Sequence, residues 1–424
     1  MAWPLPPTLS ASNYPALALP RPSTLQRNLA LDLWSAAGLG TTMAIVAVLL
    51  PSVARREGLD SMGLAALAAL PFLASILTLF AGRFSPRTPG RLAVLRAAGA
   101  LGLLAVLVAP HPILIAVATF GFWISFALGA PLQQRIWATV YPSADRGRLL
   151  GYVGTGRFAA GTIALLAITV AATTSGWVPI LAVVAAVGAI SSLAVSRMSV
   201  PGVERSQEFS ATGSIRAVIG QPMLRRIATA QLLFGAGLVA APALIAMVHI
   251  DRLGLDIEAI ALAGLISYLS TTVTIGLWGR LASRSGALVT ISAGTLIGTV
   301  AIAMYAFAPD FATVIIATLL LGTTMAAVNA AWPLLIAEHA ATDDQAAVAA
   351  GLNSIMGLRG LITPFLVMAP VQAGIVNETG GLLICLAATG AGALLYARLS
   401  GLSSVPHVAG RRVRHGARRA LALA

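Results

Sequence analysis

Charges, prolines and glycines divide this chain into twelve long apolar runs, near 29–51, 61–81, 93–110, 112–134, 149–173, 177–196, 227–249, 258–279, 286–308, 311–337, 347–370 and 380–399. A helix needs about 20 apolar residues to cross the hydrocarbon of a bilayer. The pattern therefore predicts an all-α polytopic membrane protein with twelve transmembrane helices. Composition agrees: 58% of the residues are hydrophobic and 10% are charged, where soluble domains carry about 45–50% and about 25%. Such a chain cannot solvate its own surface. A soluble enzyme, a nucleic-acid binder and a disordered protein are excluded.

The basic excess, 27 residues against 14 acids, consists entirely of arginine. In a membrane protein its place is the loops, where basic residues set topology. With both termini inside, the inner segments hold most of the arginines, Arg96, Arg146 and Arg148 among them, and the outer loops hold only Arg55, Arg56 and Arg252. That bias predicts a multi-pass protein with both termini in the cytoplasm. The expected organisation is a tail over 1–28, a six-helix bundle over 29–197, a cytoplasmic linker over 198–224, a second bundle over 225–399 and an Arg-rich tail over 400–424. The first 28 residues carry six prolines and no continuous apolar core, unlike a signal peptide. The closing RRVRHGARR stretch follows a span directly and reads as an anchor against anionic lipid, with no nucleic-acid partner.

The two halves repeat. Gly82-Arg83 with Arg87 follows the second run, and Gly279-Arg280 with Arg284 follows the eighth, at the same spacing. Pro131 precedes Arg157 by 26 positions, and Pro333 precedes Arg359 by 26. Matched landmarks in two six-span halves point to a duplicated transporter body with its site between the halves.

On these residues the chain resembles the major facilitator superfamily. Gly279 to Gly286, GRLASRSG, is similar to that family's loop motif, and Pro142 to Arg148 is similar to its turn before the fifth span. The resemblance implies two pseudo-symmetric six-helix bundles and transport by alternating access, and with the lack of targeting signals it implies a place in the bacterial cytoplasmic membrane. The motif's aspartate is replaced by Pro86 in the first copy and Ser283 in the second, so the inner gate must be latched in another way. The fourth-span arginine tied to proton handling and the fifth-span Gly-Pro pair of drug antiporters are both absent.

Polar residues inside the spans are the candidates for function. Arg157 lies nine residues past Arg148, about 13 Å along a helix, and Arg359 is its counterpart. They read either as guanidinium forks for an anionic substrate or as donors to helix-terminal carbonyls that lock the inner gate. Asp32, expected in the first turn of the first helix, is the candidate proton carrier. A residue there is also favoured simply by the helix dipole. By resemblance the first, fourth, seventh and tenth spans line the cavity, which makes Trp123, Gln231, Asn329 and Trp332 candidates, with Tyr268 of the eighth. Trp34 and Gln133 belong to the same lining. Gly82, Arg83, Arg87, Arg146, Arg148, Gly279, Arg280, Arg284 and Gly286 form the loop motifs and inner gate. Glu338, Asp343 and Asp344 are expected to face Arg146 and Arg148 in inter-half ion pairs.

With no lysine there is no Walker lysine, so ATP-driven transport by this chain alone is excluded. The five histidines and the lone Cys385 show no metal-ligand spacing; no cofactor and no metal are expected. The predicted function is secondary transport of a small organic solute by a monomer in the lipid bilayer, with protons as the family's usual coupling ion. Efflux of an amphipathic compound is the leading reading, and import or exchange of an organic anion through Arg157 and Arg359 is the alternative. A polytopic membrane enzyme would need a catalytic cluster that the sequence lacks, and a non-transporting sensor or scaffold is the other rival.

Overall fold

The computed structural model describes residues 22–80, 86–108, 111–142, 146–171, 178–200, 211–340 and 345–402. They form thirteen helices. In the first half α1 runs Pro22–Ala44, then through a π turn at Ile45–Leu49 into Leu50–Arg56. It is followed by α2 (Ser61–Phe80), α3 (Pro89–Gly102, then Ala105–Val108), α4 (Pro112–Val140), α5 (Arg146–Ala171) and α6 (Val178–Ser192). A short linker helix, α7 (Ala211–Ile219), precedes the second half. There α8 (Pro222–Met247, with a π turn at Val248–Arg252) is followed by α9 (Ile257–Ser285), α10 (Ala287–Ala306), α11 (Phe311–His339), α12 (Gln345–Gln372) and α13 (Glu378–Leu402).

Eleven of these segments are long and apolar enough to cross a membrane, and α2 supplies the shorter apolar stretch Ser61–Leu77. No strand occurs among the described residues. The chain is a multi-pass, all-α membrane protein.

Local chemistry sets the helix starts. Thr88 accepts the Arg91 amide ahead of Pro89, a first-turn proline whose missing N–H costs nothing there. Asp256 accepts the Ala259 amide at the start of α9, and Asp310 accepts that of Thr313 at the start of α11. The latter bond holds the Asp310 carboxyl below its ordinary range. Between α9 and α10 the chain turns at Gly286, whose φ of 89° is open to glycine without strain.

The packing is duplicated. Helix α1 packs on α5 and α6 as α8 packs on α12 and α13; α4 lies against α2 and α3 as α11 lies against α9 and α10; α3 meets α6 as α10 meets α13. Two symmetric seams join the halves, α2 with α12 and α5 with α9. Between helices in lipid there is no water to expel, so close approach of small residues supplies the attraction. Leu64 and Ala65 of α2 accordingly share one buried cluster with the alanine-rich stretch Ala240–Val248 of α8. Ala44 and Leu165 share another with Leu265.

The bundle has two ends. The linker face carries α7 and the start of α1, and the opposite end is the distal face. Several expectations shift here. Helix α1 begins at Pro22, so Asp32 lies ten residues in, about 15 Å from the start, and not in the first turn. Arg55 and Arg56 belong to the last turn of α1, and Arg252 ends α8. Arg96, expected in an inner segment, is buried on α3 with 8% exposure. The segment expected as linker contains α7, packed against α12. Gly82, Arg83, Asp343, Asp344 and most of both tails lie outside the described residues.

Candidate functional site

The first half carries a buried polar network centred on Asp32, which is 2% exposed. Gln133 and Trp137 of α4 and Tyr141, which caps its end, are spaced by four, so they line up along one side of that helix. All three donate to the Asp32 carboxyl: Trp137 Nε1 and Tyr141 Oη at 2.7 Å each to Oδ2, and Gln133 Nε2 at 3.3 Å to Oδ1. The other end of the Gln133 amide accepts Arg96 Nη1 at 2.8 Å. One amide thus bridges carboxyl and guanidinium across α1, α4 and α3. Arg96 borders a small recess with Thr42, Ser125 and Ser192, and its Nε has no partner.

Arg157 projects from α5 at the seam with α9. Its guanidinium carbon lies 5.1 Å from the centre of the Phe158 ring, a cation–π contact. The Phe158 ring lies 5.7 Å from that of Tyr268, from the other half. Tyr268 fits because Gly161 is one turn beyond Arg157; a Cβ there would come within 2.5 Å of the tyrosine ring. Arg157 lies within electrostatic reach of both Tyr268 and Arg96.

Arg359 is its counterpart on α12. It lies against α8, where Nη1 donates to the Gln231 carbonyl at 2.6 Å. A Cβ on Gly235 would stand 1.9 Å from that nitrogen, so only glycine admits the guanidinium. The Gln231 side chain is occupied within its own half: its Oε1 accepts Tyr396 Oη at 2.8 Å, and Nε2 faces Met356 Sδ at 3.6 Å. Arg157 and Arg359 are each partly buried, each keeps an unpartnered buried Nε, and neither is ion-paired among the described residues. The structure thus engages one nitrogen of Arg359 on a helix carbonyl and leaves the rest of the fork unused.

The remaining candidates are dispersed. Trp123 packs edge-on against Phe122 and Phe126 and borders the first-half core. Trp332 packs against the second-half core. Asn329 is exposed and donates to the Met325 carbonyl of its own helix. Gly279 lies within α9, Arg280 and Arg284 are exposed on it, and Ser283, in the place of the motif's acid, donates to the Gly279 carbonyl. Arg87 and Arg148 are exposed, and Arg146 donates to the Tyr141 carbonyl.

The expected inter-half pairing of Glu338 is not what forms. Its carboxylate accepts the Ala287 amide and caps α10 in its own half, where the helix dipole favours an anion. Among the described residues, an ionic link between the halves stands on the distal face. Arg55 donates to Asp251 from Nη2 at 2.6 Å and from Nε at 3.0 and 3.1 Å, and Arg56 donates to the Leu255 carbonyl at 2.9 Å. Next to Asp251, Arg252 turns the other way. It binds Glu378, Thr379 and the carbonyls of Tyr305 and Ala306.

Sequence reasoning missed Arg96, Trp137, Tyr141 and Tyr396. Arg96 was legible as the fourth residue of the run 93–110, and the four-residue spacing from Gln133 marked Trp137 and Tyr141. Nothing local pointed to Tyr396, which meets Gln231 only through the packing of α13 on α8.

Two six-helix bundles with matching helix contacts, joined along two symmetric seams, define a twelve-helix transporter fold. The chain belongs to the Major Facilitator Superfamily, which its sequence matches over residues 33–364. Two solved structures of the nucleoside transporter NupG share the fold. One, of a mutant, has a TM-score of 0.67 at 15% identity and covers 89% of this chain and 100% of that one. The other has a TM-score of 0.64 at 13% identity, covering 90% and 100%. At such identities the likeness concerns the fold. A comparison with functionally curated proteins finds no match.

Proposed function

We propose that the protein is a secondary transporter that moves a small organic solute across the cytoplasmic membrane of a bacterium by alternating access. The observation that carries this reading is the ionic tie between the two halves on the distal face. The halves meet along seams related by pseudo-symmetry, yet the forked Arg55–Asp251 pair draws them together on the distal face. Rocking about the seams α2–α12 and α5–α9 exchanges that closure for one on the linker face. The arginine bias favours a cytoplasmic linker face, and on that orientation the Arg55–Asp251 pair holds the halves together on the outer side.

In this scheme Arg157 and Arg359 meet the solute from opposite halves, and the α5–α9 seam places Tyr268 beside Arg157. Asp32 is the carboxyl available to carry a coupling proton, and the Gln133 bridge passes its state to Arg96. Efflux of an amphipathic compound is a second reading; the aromatic pair Phe158–Tyr268 beside a cation favours it.

The test is reconstitution. Purified protein in vesicles loaded with a mixture of small organic solutes is expected to release some of them faster than protein-free vesicles. Equal retention of every solute would contradict the transport reading. A reporter fused after Ala424 checks the orientation and is expected to be active only on the cytoplasmic side.

A further inference from the structure

Charge inside the bundle is out of balance. Asp32 is the only acid among the described buried residues, and it is already committed. It takes hydrogen bonds from Gln133, Trp137 and Tyr141, and through Gln133 it is tied to Arg96. Among the described residues nothing of that kind serves Arg157 or Arg359. Each keeps an Nε with no partner. Arg157 meets an aromatic face, and Arg359 meets one backbone carbonyl. An uncompensated cation within a membrane is costly and marks a site that is completed by something else.

We propose that the transported solute is an organic oxyanion, a carboxylate or a phosphate monoester on an apolar or aromatic body, and that Arg157 and Arg359 take up its charge from the two halves. The inference rests on the transport reading and names its substrate class. A planar guanidinium with free N–H groups matches the paired oxygens of either anion. The rings of Phe158 and Tyr268 offer the apolar body a face next to Arg157, and Tyr268 brings a phenol from the opposite half. The two glycines keep the arrangement open: Gly161 seats Tyr268, and Gly235 lets Arg359 lie on α8. Arg96 also keeps an unpartnered Nε, but it is set apart from the pair because Gln133 ties it to Asp32, which answers its charge.

The experiment uses the full chain in proteoliposomes loaded with a mixed panel of matched probes. Phenylpropionate, phenyl phosphate and similar anions are each accompanied by a neutral amide or alcohol of the same shape, and the loss of each is followed by mass spectrometry. Wild type is expected to release anions at least tenfold faster than their neutral partners. Arg157→Gln and Arg359→Gln are expected to abolish that preference, and Arg157→Lys and Arg359→Lys, which keep the charge, to retain part of it. Size-exclusion profiles and melting temperatures establish that the variants fold. Release of neutral probes without the anions, or undiminished anion release by both Gln variants, overturns the anion proposal and leaves transport standing. Retention of every probe overturns the transport reading, and this proposal with it.

Discussion

Arg55, at the end of α1, and Asp251, in the π turn that ends α8, bind each other through a two-pronged ion pair whose shortest contact is 2.6 Å. Each belongs to the first helix of its half, and those helices carry matching π turns, at Ile45–Leu49 and Val248–Arg252. Such turns offset the last turn from the rest of the helix. The pair is partly open to solvent, with side-chain exposures of 23% and 36%, so its worth is that of a well-formed surface bridge, about 1 kcal/mol.

A latch of that size biases an equilibrium without locking it. Asp251→Asn is expected to shift the population toward the distal-open state by about fivefold, the equivalent of about 1 kcal/mol. Reaction of a single cysteine at Leu265 with an external thiol reagent, in a Cys385→Ser background, reads the shift. The exchange Arg55→Asp with Asp251→Arg is expected to restore protection. Equal reaction rates in wild type and Asp251→Asn would rule out the latch.

The Arg96–Gln133–Asp32 chain makes a second prediction. Gln133→Leu removes the bridge and leaves a buried carboxyl and a buried guanidinium each short of a partner, at a cost of about 3 kcal/mol or more. Tyr141→Phe removes one bond to a charged acceptor, at about 2 kcal/mol. Thermal unfolding in detergent should rank them wild type, Tyr141→Phe, Gln133→Leu in falling stability. A Gln133→Leu protein as stable as wild type would show that the bridge does not matter.

Gly235 supplies a third. In Gly235→Leu the new side chain occupies the place of the Arg359 fork and forces it off the Gln231 carbonyl. Overpacking of this kind costs about 1–3 kcal/mol, so the protein should still fold. Solute release should fall as far as in Arg359→Gln. Full release by Gly235→Leu would mean that the position of Arg359 is irrelevant to transport.

Arg252 gives a fourth. It pins the end of α8 to α10 and α13 through Glu378, Thr379 and the carbonyls of Tyr305 and Ala306. Arg252→Ala is expected to lower the melting temperature and to weaken distal protection as well, because Asp251 is then presented from a loosened helix end. A stability loss with unchanged protection would make Arg252 a purely local anchor.

The helices themselves were legible, because a run of twenty apolar residues leaves few other folds open, and the duplication was written in the spacing from Pro131 to Arg157 and from Pro333 to Arg359. Charge placement was less legible. Reading charged residues as span ends put Arg96 in an inner segment, yet α3 begins at Pro89 and carries it inside, where Gln133 accepts one of its N–H groups. The same habit put Arg55 and Arg252 in loops, although the helices run on through them. Glu338 was placed correctly near a helix end, but its partner, the Ala287 amide, is a backbone group that no residue identity announces. Partners such as Tyr396 for Gln231 arise from helix packing and leave no local trace.

Alternation of closure between the two faces underlies the proposed transport. It is tested most directly by spin-label distances on both faces of the same protein, in a Cys385→Ser background. One pair, Glu57→Cys with Ile375→Cys, spans the distal face, and the other, Arg87→Cys with Arg284→Cys, spans the linker face. Breaking the latch with Asp251→Asn is expected to lengthen the distal distances and shorten the linker-face distances together. Distances that stay fixed on both faces, or that lengthen on both, would contradict alternating access by these two halves.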